Sequence, residues 1–449
     1  MIIKIIGTKT AKKDTETARL NAGQFEAVHF LDGPALVLAG PGSGKTKVIT
    51  ERVKYLTENA GVLPEKILVL TFSKAAAEEM KKRYLAISAP AFRKVTFGTF
   101  HSVFYSVLCT LPQYRNLKIA EQKDRQNMIH TAMLRRFGKN RYTSDLLNLV
   151  LDDIGRVKNG LPPKITETKE LYGEYNEELK ANGMLDYDDM LLDLYREICG
   201  NRQLLKELRD GYSYLLIDEF QDINRVQYET VKLLAYPGNN LFCVGDDDQS
   251  IYAFRGSDPG FMRKMPEELP ETKLIELKIN YRSTKQIVSV TKKLIRHNLV
   301  RYPKEPEAYR GAGPDPVIAK FASPKEEAAY ITEKVMSLPE GKTAAVLGRT
   351  NRAVNDLKEL IPEKVKDRIS FHSFHTSKGL EFDCVFVAAC NEEVTPGQRV
   401  NGNEEMEEER RAFYVAATRA RTQLFFLYTE VYKDKVTPPS SFLRELIGK

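Results

Sequence analysis

Short runs that are apolar on both faces alternate along this chain with stretches whose apolar positions recur at helical spacing. Ala35–Ala39, Ile67–Phe72, Val95–Thr99, Tyr214–Ile217, Leu241–Val244, Leu274–Leu277, Ala344–Leu347, Val385–Ala389 and Leu424–Tyr428 read as strands. Most lack the in–out alternation of a half-exposed strand, as expected of a parallel sheet covered on both faces. Lys45–Glu58 and Ala75–Ser88 read as helices between them. The class is α/β, with strands enough for two wound sheets.

One region breaks the alternation. From about Val103 to Cys199 the pattern is almost purely helical. Leu146, Leu147, Val150, Leu151, Ile154 and Val157 mark one amphipathic face; Leu171, Tyr175 and Leu179 mark another, ended by Asn182-Gly183. This reads as an all-helical insertion in the first α/β unit. The acidic run Glu404–Glu409 merges into an apolar helical pattern and reads as a solvated helix face.

Composition narrows the setting. A chain of 449 residues holds about three domain-sized units and buries a core without staples. The five cysteines are scattered with no CxxC pair, so they read as reduced thiols and not a disulfide or zinc framework. Apolar runs fall short of the ~18 residues a membrane span needs. The start MIIKIIGTKTAKKD lacks signal-peptide order and a small-residue cleavage site, so a cytoplasmic protein is expected. A formal charge of +7 permits a polyanionic partner without demanding one.

AGPGSGKT (Ala39–Thr46) follows a strand and opens a helix. Gly40, Gly42 and Gly44 let backbone N–H groups, with that of Ser43, turn around a phosphate. The helix N-terminus adds positive potential. Lys45 supplies charge for the β/γ-phosphates and Thr46 a hydroxyl for Mg²⁺. The strict pattern begins with Gly where this chain has Ala39. In LLIDEFQD (Leu215–Asp222) an apolar strand ends in two carboxylates. Asp218 would hold Mg²⁺ through water, and Glu219 would orient and deprotonate the attacking water. The pair points to a nucleotide hydrolase and leaves a P-loop kinase open.

Further segments narrow the family. Asn21–Gln24, VGDDDQSIYAFRG (Val244–Gly256), INYRST (Ile279–Thr284), FHTSKGLEF (Phe374–Phe382) and EERRAFYVAATRAR (Glu408–Arg421) occur in this order. So do TFSKAAAEEM (Thr71–Met80), GTFHS (Gly98–Ser102), LDYDDM (Leu185–Met190) and LGRTN (Leu347–Asn351). From about Leu20 to Arg421 the chain closely resembles the UvrD/Rep/PcrA-like branch of superfamily one DNA helicases.

The resemblance implies two RecA-like domains with ATP between them. The first would comprise residues 1–102 and 203–276, and the second 277–449. A helical accessory domain would occupy 103–202. It implies that Gln24 reads the adenine edge, Tyr281 stacks on the ring and Glu381 contacts the ribose. Gln249 would sense the γ-phosphate, and Arg282 and Arg419 would be arginine fingers. Chemistry asks for such arginines, because hydrolysis spreads negative charge over the transferring phosphoryl group. Phe72, His101, Tyr252, Phe254, Arg255 and His375 stand where this family places strand-stacking, strand-contacting or coupling groups.

There are departures from the family pattern. Phe254 replaces a common Trp, and Lys74-Ala75 replaces an Asn-Lys pair. Relatives insert a second accessory domain, called 2B, after the Leu347–Asn351 segment. Here Ile361–Arg368 leads almost directly to a strand at Ile369–Phe371, with no room for a folded domain. The leading expectation is an ATP- and Mg²⁺-dependent single-stranded DNA translocase and 3′→5′ helicase acting at single-strand/duplex junctions. The alternative is an ATP-gated single-strand sensor that recruits a nuclease or repair factor in a repair, mobile-element or phage-defence complex. No membrane partner is expected.

Overall fold

The computed structural model describes residues 20–138, 143–398, 402–432 and 435–448. The N-terminal run Met1–Ile6 and the first residues of the first unit lie outside the described residues. Two parallel sheets organise the chain. The first holds β1 (Ala35–Ala39), β2 (Ile67–Thr71), β3 (Thr96–Thr99), β4 (Tyr214–Ile217), β5 (Leu241–Gly245) and β6 (Lys273–Leu277), in the order β3-β2-β4-β5-β1-β6. Val37 of β1 sits in register with Val244 of β5 and Ile275 of β6. The strands β1, β2 and β5 are buried along their whole length, which is why they read as unbroken apolar runs.

The second sheet holds β7 (Val317–Phe321), β8 (Ala344–Gly348), β9 (Ile369–Ser373), β10 (Phe382–Val387) and β11 (Ala420–Thr429), in the order β7-β11-β10-β8-β9. All pairings in both sheets are parallel. This is the fold of two RecA-like domains with a helical insertion. The edge strand β7 was not expected: its apolar run Val317-Ile318-Ala319 is cut short by Lys320, and Val317 and Ile318 are exposed. The expected strand Val385–Ala389 instead starts at Phe382 and ends at Val387. Ala388 and Ala389 stay buried in the irregular segment that follows, so the apolar run outlasts the strand.

The helical region divides between two cores. Helices Gln122–Phe137, Ser144–Lys158 and Thr166–Ala181 close on one another through Ile129, Ala132, Val150, Ile154, Leu171 and Tyr175. Helices Phe100–Leu108 and Tyr187–Gly200 send Phe100, Phe104, Leu191 and Leu194 into the core beneath the first sheet instead. Between β8 and β9, where every residue is described, the chain makes only helices Asn351–Leu360 and Glu363–Lys366.

Candidate functional site

The carboxyl ends of β1, β4 and β5 face the second unit across a cleft of 780 Å³. The phosphate loop forms one wall, and Tyr281, Arg282, Glu381, Arg419 and Arg421 stand on the other. Ala39 is the last, fully buried residue of β1. A Cβ there lies within ordinary strand geometry, which is why Ala can replace the first Gly of the strict pattern. Gly42 is different. It has φ +67°, and a Cβ on it would meet Arg282 Cβ at 2.6 Å and Asn280 Oδ1 at 3.0 Å. Tyr281 N–H donates to its carbonyl at 2.8 Å, so the loop touches the second unit through bare backbone.

Gln24 is nearly buried and lies on the helix Ala22–His29, whose N-cap Asn21 also donates to the Tyr281 hydroxyl at 2.9 Å. The Gln24 amide donates to Ser43 O at 2.9 Å, placing it against the phosphate loop. Tyr281 lies on the cleft wall with its ring 4.9 Å from Tyr309.

The acidic end is electrostatically unfinished. Lys45 Nζ lies 3.6 Å from Glu219 Oε2, and has no hydrogen-bond partner although it is buried. Asp218 Oδ1 is also buried and unpartnered. Burial, then the neighbouring Glu219, pushes the Asp218 carboxyl up to about 7. Burial alone would raise Glu219 as well, but Lys45, Lys378, the Gln221 amide and Arg419 outweigh it and hold Glu219 down to about 2. Glu219 sits at φ 52°, a left-handed conformation uncommon for a residue with a side chain, at the turn after β4. Two carboxylates side by side thus have opposite environments, one held ionised and one raised toward neutral pH. The orphaned Asp218 oxygen and the Thr46 hydroxyl line the same cleft, a donor set that suits a Mg²⁺ ion.

Charge from the second unit reaches this end. Arg419 is buried, with its guanidinium lowered to about 9 by burial and by Arg282. It donates to Gln249 Oε1 at 2.9 Å. Arg282 Nε donates to Glu381 Oε2 at 2.7 Å, and Arg421 pairs with the same carboxylate. Glu381 therefore holds both arginines and offsets one of their two charges in this structure.

Five of the six expected strand residues gather in one cluster. Phe72 stacks on Tyr252 at 5.0 Å and 13°, and Phe254 and His375 pack at 5.6 Å edge to face. The Arg255 guanidinium lies 5.7 Å from the Tyr252 ring and 5.5 Å from that of Phe254. Phe254 is 52 % exposed and Phe72 36 %, so neither is core packing. His101 stands apart, edge-on to the half-exposed Tyr187 at 6.0 Å. Burial, then Arg349, lowers His375 to about 4, so it is neutral near pH 7.

Sequence reasoning passed over Lys378, although it quoted the segment containing it. Its ammonium pairs with Asp222, donates to Gln249 O at 2.8 Å and lies 5.1 Å from the Tyr252 ring. One side chain thus bridges the cleft and the ring cluster.

The comparisons with known proteins agree with this geometry. Residues 20–270 match the UvrD/REP helicase N-terminal domain, and residues 275–366 and 354–431 match the UvrD-like helicase C-terminal domain. A putative ATP-dependent DNA helicase, YjcD of Bacillus subtilis (strain 168), is 36% identical over 364 residues, covering 76% of this chain and 48% of that protein. The ATP-dependent DNA helicase PcrA of Staphylococcus epidermidis is 32% identical over 359 residues, covering 76% of this chain and 49% of PcrA. A probable DNA helicase II homolog of Mycoplasma capricolum subsp. capricolum is 32% identical over 368 residues, covering 77% and 51%. The chain thus spans about half the length of the curated relatives it matches.

Proposed function

The chain belongs to the UvrD-like helicase family, and from that premise we propose that it is an ATP-dependent single-stranded DNA translocase that separates duplexes. The observation that carries this reading is that the hydrolytic groups come from both sheets and meet: Arg419 of the second unit bonds Gln249 of the first. Nucleotide binds in the cleft with its phosphates on the backbone of Gly40–Gly44 and on Lys45. Mg²⁺ held by Thr46 and Asp218 would neutralise charge on the phosphates. Glu219 is ionised and serves as the base that orients the attacking water. Arg419 and Arg282 stabilise charge on the transferring phosphoryl group, Arg282 on release from Glu381. Because these arginines sit opposite the phosphate loop, hydrolysis depends on how closely the units approach, and that dependence converts turnover into motion.

Phe72, Tyr252 and Phe254 would stack bases, Arg255 would meet phosphate, and His101 and His375 would contact the strand. Lys378 would carry the state of the track to the cleft. Travel in the 3′→5′ sense is what the family resemblance implies. A second reading, an ATP-gated single-strand sensor serving a nuclease or repair partner, is favoured by the short β8–β9 connection, which offers little surface to grip a duplex.

Strand displacement by the isolated chain on 3′-tailed, 5′-tailed and blunt substrates, with turnover measured alongside, tests both. The expected result is single-strand-stimulated turnover with displacement from the 3′ tail. Displacement from the 5′ tail alone overturns the polarity. Stimulated turnover without displacement selects the sensor reading, and no stimulation sinks both.

A further inference from the structure

Three adjacent carboxylates follow β5. Asp246, Asp247 and Asp248 are buried, with one oxygen of each within 4.8 Å of the others. Such a cluster is costly without a cation. Here the cation belongs to the protein. The Lys304 ammonium, buried, lies 2.7 Å from Asp246 Oδ1 and 3.0 Å from Asp248 Oδ2, and also pairs with Asp247. Arg301 adds a two-pronged contact to Asp248, both bonds at 2.7 Å. Burial alone would lower the Lys304 ammonium, but the three carboxylates more than reverse this, so it stays charged. Lys304 and Arg301 follow the helix Lys285–Ile295, which packs through Ile287, Leu294 and Ile295 into the core of the second unit. The ion cluster therefore ties the second unit to the first.

Asp246 is also the partner of Gln249. Lys304 holds Asp246 Oδ1, while Asp246 Oδ2 accepts from Gln249 Nε2 at 2.6 Å. The other end of the same amide accepts from Arg419 at 2.9 Å. Lys304 does not line the nucleotide cleft; it lies behind the phosphate loop with Gly40 and Pro41 in a separate small cavity. We propose that Lys304 is a positioning residue for hydrolysis: a strut from the second unit that, through Asp246, sets the orientation of Gln249 toward Arg419 and the phosphate end of the cleft. The inference rests on the reading of that cleft as an ATP-hydrolysing site.

The test compares wild type, Lys304→Met and Lys304→Met/Asp247→Asn in the full chain. The readouts are melting temperature, KM for ATP and single-strand-stimulated kcat. Lys304→Met is expected to melt lower and to lose kcat on the order of tenfold to a hundredfold, with KM within about threefold. Adding Asp247→Asn removes the surplus negative charge. It is expected to restore the melting temperature but not kcat, because Asp246 Oδ1 then keeps only the long bond from Asp248 N–H at 3.3 Å. Recovery of kcat together with stability in the double variant overturns the strut and reduces Lys304 to charge balance. Full kcat in Lys304→Met overturns it as well and leaves the hydrolase reading standing. If wild type fails to turn over ATP, the hydrolase reading falls and takes the strut with it.

Discussion

The nucleotide cleft and the ring cluster sit on either side of Lys378, and they are built by opposite means. In the cleft, charges are buried and left short of partners: Lys45 Nζ and Asp218 Oδ1 have no hydrogen bond, and Asp218 is pushed up to about 7 beside a Glu219 held down to about 2. In the ring cluster the groups satisfy one another: Phe72 lies on Tyr252 and Phe254 meets His375 edge on, with the neutral His375 carrying no charge to place. An unfinished set of charges gains steeply when its missing partners arrive, and loses steeply when one member is removed. A set of stacked rings can trade a protein ring for a base at little cost, so its losses are graded. Damage to the cleft should therefore be nearly all-or-none in turnover, and damage to the cluster should grade affinity.

The largest effect is expected in the cleft. Lys45→Ala and Glu219→Gln should each lower single-strand-stimulated ATP turnover on the order of a thousandfold. The affinity of both variants for a labelled oligonucleotide, read by anisotropy, should stay within about threefold of wild type, because neither side chain touches the ring cluster. Near-normal turnover in either variant removes the residue from the active site. A parallel collapse of oligonucleotide affinity breaks the separation of the two regions.

Much of this contrast was legible in the sequence, and the illegible part has a common cause. The phosphate loop, the Asp218-Glu219 pair and Arg419 lie in local patterns whose neighbours fix their surroundings. Lys304 does not: it sits in a stretch without periodicity or motif, and its three partners stand more than fifty residues earlier in the chain. Lys378 lay in plain view in FHTSKGLEF, but its bond to Gln249 and its place near Tyr252 come from the docking of two sheets. Glu381 was expected at the ribose; it lines the cleft wall and there also pairs with Arg282 and Arg421. No spacing rule foretells which of several cations a carboxylate will choose. The sheets themselves were readable where strands are buried on both faces. The edge strand β7 was not, because Lys320 cuts its apolar run after Ala319.

An intermediate effect belongs to Phe254, the most exposed ring of the cluster. Phe254→Ala should weaken oligonucleotide binding by about 1–3 kcal/mol, the worth of one base–aromatic stack. KM for ATP should hold within about twofold, since Phe254 lies outside the cleft. Phe254→Trp enlarges the stacking face and should tighten binding severalfold. A chain indifferent to both changes would show that the bases travel elsewhere, and the exposed Tyr187 with its partly buried neighbour His101 would be the next surface to probe.

The smallest effect is a predicted flatness in pH. His375 is lowered to about 4 by burial and by Arg349, against ~6.5 for a free imidazole. The folded chain therefore binds fewer protons at this site than the unfolded chain between those two values. Its contribution to stability is present above ~6.5 and is lost as pH falls toward 4. Between pH ~6.5 and ~8 the ring of the folded chain is neutral and adds no charge to the track. Oligonucleotide affinity of wild type and of His375→Gln should run parallel across that range at constant salt, while the acid limb of wild-type melting should be the steeper of the two. If wild-type affinity instead rises as pH falls through ~6.5 and His375→Gln abolishes the rise, then His375 binds the strand as a cation. The ring cluster would then work by charge, as the cleft does, and the contrast between the two regions would fail at His375.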